Sequence, residues 1–270
     1  MVERQPSKLN VEGSRPFSRS KNIPMTLTKA FSKAAKTYDT HAHIQAQAAD
    51  TLFKKPLPQN VLHILEIGCG TGYLTQKLFT NYPNAHITAI DLSEEMLQEA
   101  QKKISSPNIT FQKSDILTFE SNQTYDLIIS SSTLHWVTPT HKLVKKLHTL
   151  LTSQGTLLFS CFGPNTFHEL ASAIQHPIPA QKFPTLTTWT SLLTDYFTKI
   201  ETTSDVHTKT YTTLHDLLKT IKKTGTHNPS AQPIWTPKKL ATLDTTYRQN
   251  HNEIIATYEL FFITAKKMKF

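Results

Sequence analysis

At 270 residues with a formal charge of +9, the chain is long enough for one α/β domain with an added helical portion. No apolar run approaches the roughly 18 residues of a membrane span, and the N-terminus lacks a hydrophobic signal core, so a membrane or exported protein is not expected. The two cysteines, Cys69 and Cys161, read as small buried residues in a reducing, cytoplasmic compartment rather than as a disulfide.

Taken in chain order, residues 1–24 are polar and basic, carry prolines and show no apolar periodicity, which predicts a disordered tail. Glu3 and Glu12 argue against a transit peptide, and Met25 is a candidate natural start that N-terminal mass analysis would decide. Over 28–53, Phe31, Ala34, Ala35, Tyr38 and Ala42 recur at helical spacings and predict one long helix. Strand 61–67, helix 72–81, strand 85–90, helix 94–104 and strand 108–113 follow. Then come strand 125–131, helix 140–151 and, after a turn at Gly155, strand 154–162. Ser93 is the predicted N-cap of the helix at 94–104, with Glu94 and Glu95 in its first turn. This alternation predicts an α/β, doubly wound parallel sheet with helices on both faces. Past Gly163 and Pro164 the rhythm changes to helical pieces near 165–175, 187–196, 212–225 and 236–250, with strand-like runs at 198–210 and 254–266. The lysines fall in pairs, such as Lys54-Lys55, Lys222-Lys223 and Lys266-Lys267, which read mostly as solvated faces. Without an interleaved basic and aromatic patch, nucleic acid is not expected, and an acidic protein is the more economical partner for the charge.

Three of the seven glycines, Gly68, Gly70 and Gly72, fall in the turn between the first strand and its helix. Such a cluster marks a place where backbone approaches something closely. A dinucleotide fingerprint would need its third glycine where Tyr73 stands, and no Gly-Lys-Ser/Thr phosphate loop is present. Asp91, at the tip of the second strand, is placed to accept both ribose hydroxyls of an adenosine, although alone it also reads as a solvated loop acid. The pattern Glu66-x-Gly68-x-Gly70-x-Gly72 resembles motif I of class I S-adenosylmethionine-dependent methyltransferases. That resemblance implies S-adenosylmethionine as cofactor and S-adenosylhomocysteine as product. It also implies that the sheet closes with an antiparallel pair made by 198–210 and 254–266. Glu66 would then organise the turn and the methionine ammonium, with Cys69 a small filler between glycines. Leu92 would follow Asp91 at the ribose, and Ser130 would end the fourth strand beside the site. Ser114 and Asp115 would lie near the adenine amino group, Asp115 reading equally as a turn cap.

Four further stretches resemble the malonyl-acyl-carrier-protein O-methyltransferases that open pimelate synthesis for biotin. They are Phe31 to Gln45, Ser131 to Trp136, Phe162 to Leu170 and Leu218 to Asn228, and Thr257-Tyr258-Glu259 in addition resembles that family's last strand. Two positions depart from that family, which commonly has Asn in the Ser131–Ser132 region and Gln where His135 stands. The resemblance runs from about residue 28 to the C-terminus. It implies a domain over 25–270 with its core at 55–170, C-terminal strands at 198–210 and 254–268, and a helical lid from 28–53, 171–196 and 211–250. The activity implied is methyl transfer to the free carboxylate of a malonyl thioester. That carboxylate is ionised at neutral pH, so alignment in a desolvated pocket serves in place of a strong base. Tyr38 and His41 would then position the reactants, Tyr38 and Gln45 lying on nearly one helical face; an aromatic packing face with exposed histidines is the alternative. His135, Trp136, Lys222, Tyr258 and Gln45 are the further acceptor-site candidates. Arg248, the one arginine outside the tail, is the candidate carboxylate anchor or a solvated helix residue. No metal is expected, because His41 and His43 lack further ligands at suitable spacing. The expected partner of this monomer is an acidic acyl-carrier protein in its malonyl form, or malonyl-coenzyme A. The rivals are a methyltransferase of a small polycarboxylate such as aconitate, a quinone-ring C-methyltransferase, and a basic nucleic-acid-binding protein on this fold.

Overall fold

The computed structural model describes residues 25–175, 178–226 and 236–268. The tail expected over 1–24 lies outside the described residues. Seven strands form one sheet: β1 His63–Ile67, β2 His86–Asp91, β3 Ile109–Lys113, β4 Tyr125–Ser131, β5 Leu151–Phe162, β6 Phe197–Tyr211 and β7 Ile254–Lys267. Their order is β3-β2-β1-β4-β5-β7-β6. The first five pair in parallel, and β7 runs antiparallel to both β5 and β6. The expected closing pair is therefore present.

The helices are α1 Met25–Ala34, α2 His43–Phe53, α3 Tyr73–Asn81, α4 Glu94–Lys103, α5 Thr140–Leu150, α6 His168–Ile174, α7 Leu186–Thr194, α8 Leu214–Lys223 and α9 Pro237–His251. Alternate side chains of each strand feed opposite faces of the sheet. Ile64, Leu127 and Ile129 join one core with residues of α2, α3, α6, α8 and α9. Leu65, Ile67 and Ile128 join the other with residues of α5 and α7. Because both faces are covered, the central strands read as continuous apolar runs rather than alternating ones. Ser93 caps α4 as expected, its Oγ accepting from Met96 N at 3.2 Å.

Two elements differ from the sequence reading. The helix expected over 28–53 is broken: a 3-10 turn at Ala35–Thr37 follows α1, and the chain leaves helical geometry until α2 begins at His43. Thr37, Tyr38, Asp39 and Thr40 are all poor helix formers. Thr40 Oγ1 also donates to Thr37 O at 2.8 Å, a local alternative to helical pairing. The second difference lies at Gly155, which sits inside β5 rather than in a turn before it. It stands where the β4–β5 register shifts, and a Cβ there would come within 2.9 Å of Leu151 Cβ and 3.0 Å of Tyr125 O. This glycine permits close approach at a bulge.

Candidate active site

The carboxyl ends of β1, β2 and β4 open on a cavity of about 540 Å³. It lies on the side of the sheet where ligands bind in doubly wound folds. The glycine turn forms its floor, Asp91 to Ser93 and Ser114 to Ile116 one wall, and Ser131 to Thr133 with Trp136 another. Leu27, Phe31, Tyr38 and Gln45 close it from the N-terminal helices. Tyr38 and Gln45 thus meet at the cavity despite the broken helix between them.

Gly68, Gly70 and Gly72 have φ of +71°, +53° and +85°, the left-handed region that other residues avoid. Their roles differ. A Cβ on Gly68 would lie 2.2 Å from Thr133 Oγ1, and one on Gly72 would lie 3.0 Å from Ala100 Cβ. At Gly70 a Cβ would meet nothing within 4 Å, because that side of the turn is open. The N–H groups of Gly68 and Cys69 donate to Ile90 O at 2.8 and 3.1 Å, fastening the turn to β2. Asp91 continues this fastening: its Oδ2 accepts from Gly70 N at 3.0 Å and its Oδ1 from Ser93 N at 2.8 Å. Burial raises the Asp91 pKa against the pull of these backbone donors.

Glu66 is 1% exposed and lines the cavity, and its Oε2 has no hydrogen-bond partner. Burial, with the nearby Asp91 adding to it, pushes its pKa up to about 8. A buried carboxyl with an unused oxygen suits a cationic ligand group. Among the described residues, Asp39 and Asp115 complete a lining of four acids, with Lys103 and His43 the only lysine and histidine there. In a chain of net charge +9 this acidic cavity runs against the overall balance. Cys69 also lines it, but burial first, then Asp91 and Glu66, drive its thiol pKa well up, so it is an inert filler.

The remaining sequence candidates divide. Leu92, Ser114 and Asp115 line the cavity. Asp115 Oδ1 also accepts from Leu117 N at 3.0 Å, so it both caps a turn and faces the site. Ser130 is fully buried behind the wall, its Oγ donating to Ile67 O at 2.8 Å. Trp136 lines the cavity, whereas His135 packs behind it among Trp136, Phe162 and Phe183. Phe162 N donates to His135 Nδ1 at 3.3 Å, which leaves the proton on Nε2. Burial lowers the His135 pKa to about 3, so the ring is neutral. Burial, then Asp91 and Asp39, push the Tyr38 phenol far up, making it a neutral hydroxyl and not a base. His41 falls outside the lining, and burial followed by Lys223, Lys219, His43 and Lys209 lowers its pKa.

Besides Ser130, His135 and His41, three more candidates, Tyr258, Lys222 and Arg248, do not reach the cavity lining. Tyr258 is buried with its hydroxyl 2.9 Å from that of Tyr211. Lys222 is exposed on α8. Arg248 binds Asp244 Oδ2 through Nε at 2.9 Å and Thr212 O through a terminal nitrogen at 3.2 Å. Arg248→Ala is accordingly expected to change acceptor KM less than about twofold, an outer-surface effect; a rise above tenfold in steady-state kinetics would return it to the site. Sequence reasoning passed over Asp39, Thr71 and Lys103, which meet at the cavity, and Ser132, which lines it at φ +54° with its Oγ unpaired. Only the run Thr37 to Thr40, a poor helix segment, hinted at the first of these. Among the described residues no group of three or more His, Cys, Asp or Glu could hold a metal ion, and no helix is long and apolar enough to cross a membrane.

The profile of a methyltransferase-domain family matches residues 59–226. Among curated proteins, the chain is 34% identical over 266 residues to a malonyl-[acyl-carrier protein] O-methyltransferase of Priestia megaterium, spanning 89% of this chain and 97% of that one. It is 32% identical over 253 residues to a protein of the same name from Anoxybacillus flavithermus, spanning 88% and 95% of the two. Among solved structures, YcgJ from Bacillus subtilis superposes with a TM-score of 0.61 at 15% identity, over 83% of this chain and 99% of that one. The N-methyltransferase NodS from Bradyrhizobium japonicum, solved with S-adenosylhomocysteine, superposes with a TM-score of 0.52 at 15% identity, over 87% and 99%. At such identities these two share the fold.

Proposed function

We propose a carboxyl O-methyltransferase activity for this chain, which belongs to the malonyl-[acyl-carrier protein] O-methyltransferase family and carries its methyltransferase domain. The reaction moves a methyl group from S-adenosylmethionine to the free carboxylate of a malonyl group on an acyl-carrier protein. The products are the malonyl methyl ester that primes pimelate synthesis for biotin, and S-adenosylhomocysteine. The observation that carries this reading is the acid-lined cavity on the glycine turn of a basic protein.

The residues present fit the cofactor. Glu66 offers an unpaired buried carboxyl oxygen for the methionine ammonium, and Asp91 faces the cavity at the tip of β2 for the ribose hydroxyls. Ser114 and Asp115 stand at the next strand end for the adenine, and Gly70 leaves open space against bare backbone. When bound, the cofactor supplies an electrophilic methyl on a sulfonium. The protein's share is to align and desolvate. Leu27, Phe31 and Trp136 supply apolar walls, and Tyr38 and Ser132 supply neutral hydroxyls. The reaction needs no side chain to deprotonate the acceptor, because a malonyl carboxylate is already ionised at neutral pH.

The partner reading follows from charge. Lys219 and Lys222 are exposed on α8, whose buried face is Leu214, Leu217 and Ile221. Gly225, just past α8, packs on Phe31 of the cavity wall, so this lysine face stands beside the site. Lys209, Lys219 and Lys223 all bear on His41, next to the cavity-lining Ala42 and His43. An acidic carrier protein docking here as a partner of a cytoplasmic monomer would show salt-sensitive affinity. The double variant Lys219→Glu/Lys223→Glu is expected to raise KM for malonyl-carrier protein about tenfold at low salt. It should leave KM for a small neutral malonyl thioester unchanged; equal effects on both substrates would sink the docking.

The first test is to incubate purified protein with S-adenosylmethionine and malonyl-carrier protein and weigh the intact carrier. A gain of one methylene, reversed by mild base, is the expected result. Cofactor binding without that gain would direct the acceptor search to small polycarboxylates.

A further inference from the structure

At the break between α1 and α2, Asp39 joins three separate parts of the chain. Its Oδ1 accepts from Thr71 Oγ1 at 2.5 Å, and its Oδ2 accepts from Lys103 Nζ. Lys103 Nζ also donates to Thr71 O at 2.9 Å, closing a three-residue ring of hydrogen bonds. Thr71 is buried between Gly70 and Gly72, and Lys103 is the last residue of α4. All three line the cavity, as does Tyr38 beside Asp39. The ring thus ties the segment that carries Tyr38 down onto the glycine turn. A second crossing, Ser32 Oγ to Ser93 Oγ at 2.9 Å, ties α1 to the start of α4.

The composition of this tie bears on its use. The side chains of Asp39 and Lys103 are 51% and 38% exposed, so the bond between them exchanges with water at little net cost, while both bonds to the buried Thr71 are partly shielded. Permanent packing would use apolar contacts, as Ala34 and Ala35 do at 3% and 4% exposure just before the break. A half-exposed polar tie over a cavity that must admit one reactant and exclude water during transfer suits a latch that opens and recloses.

We propose that Asp39 is a positioning residue: through Thr71 and Lys103 it holds the Tyr38 segment over the glycine turn and sets how fast the cofactor leaves. The proposal rests on the reading of this cavity as the S-adenosylmethionine site. Asp39 itself is given no contact with the reacting atoms.

The test is stopped-flow release of S-adenosylmethionine, followed by the change in tryptophan emission, to which Trp136 in the cavity lining contributes, with Trp189→Phe/Trp235→Phe as the background that isolates it. Asp39→Asn turns an amide donor toward Lys103, and Thr71→Val removes the hydroxyl while keeping its shape. Each is expected to speed release about tenfold, with the midpoint of thermal unfolding within a few degrees of wild type. The exchanged pair Asp39→Lys/Lys103→Asp restores opposite charges across the turn and is expected to recover most of the slow release. Unchanged release in both single variants, or faster release that the exchanged pair does not recover, overturns the latch. A wild-type protein that binds no S-adenosylmethionine overturns the cofactor reading instead. Slow release that persists with Asp39 replaced would leave that reading standing and remove Asp39 alone.

Discussion

Gly70→Ala is expected to fold and to lose its cofactor. At φ +53° an alanine is strained, but a Cβ there meets no protein atom within 4 Å. The backbone strain costs about 1–2 kcal/mol, a fall of roughly 2–6 °C in Tm for a chain of this size. The methyl group stands instead in space that the proposed ligand occupies. Overpacking costs about 1–3 kcal/mol where nothing can yield, so affinity for S-adenosylmethionine should fall up to about 100-fold. Gly68→Ala serves as the contrast. Its Cβ would fall 2.2 to 2.7 Å from three side-chain atoms of Thr133, so stability and binding should fail together. Calorimetric titration paired with thermal unfolding separates the two cases. Binding of Gly70→Ala within threefold of wild type would show that the ligand does not approach the turn at Gly70.

The parts of this site that were legible in the sequence are those where the backbone itself leaves a mark. Left-handed φ at Gly68, Gly70 and Gly72 demands glycine, and the strand before them had to be apolar on both faces because helices cover both. Asp91 was legible by its distance from that turn. What stayed hidden depends on residues far apart in the chain. Asp39 reaches Thr71 and Lys103 across 32 and 64 positions, and the weak helix propensity of Thr37 to Thr40 hints at a break there without indicating either partner. Gly155 looked like a turn because glycine often is one, yet its neighbours Leu151 and Tyr125 O require it inside a bulge. His135 was read toward the acceptor, and only the approach of Phe183, with ring centroids 4.4 Å apart, shows it packed behind Trp136. The scarcity of arginine points to Arg248, but scarcity carries no information about position.

Glu66 ties cofactor binding to protons, and this is the second large effect expected. With its pKa near 8, the carboxyl of the cofactor-free protein is about nine-tenths protonated at pH 7. An ammonium placed against it would favour the carboxylate, so binding at pH 7 should release about three-quarters of a proton net, Glu66 giving up more than the α-amino group takes on. The sign reverses in alkali. By about pH 9 Glu66 is roughly nine-tenths ionised while a free α-amino group is mostly neutral, so binding should then take up a proton. Titration calorimetry in buffers of different ionisation enthalpy reads both quantities directly. Stability should follow the same carboxyl. A folded-state pKa raised from 4.5 to about 8 means the folded protein holds a proton that the unfolded chain gives up between those values. The cofactor-free protein therefore loses stability as pH rises from about 4.5 through 8, by roughly 5 kcal/mol at most. Glu66→Gln cannot ionise. It should flatten that decline, remove the proton release, and weaken cofactor affinity about 30-fold through loss of a charge-assisted bond. Heats of binding that do not depend on buffer at pH 7 would detach Glu66 from the ammonium. A variant with wild-type affinity but no proton release would keep the raised pKa and deny it a part in holding the cofactor. Coupling of the two losses in one substitution is what a buried acid kept neutral until its cation arrives requires.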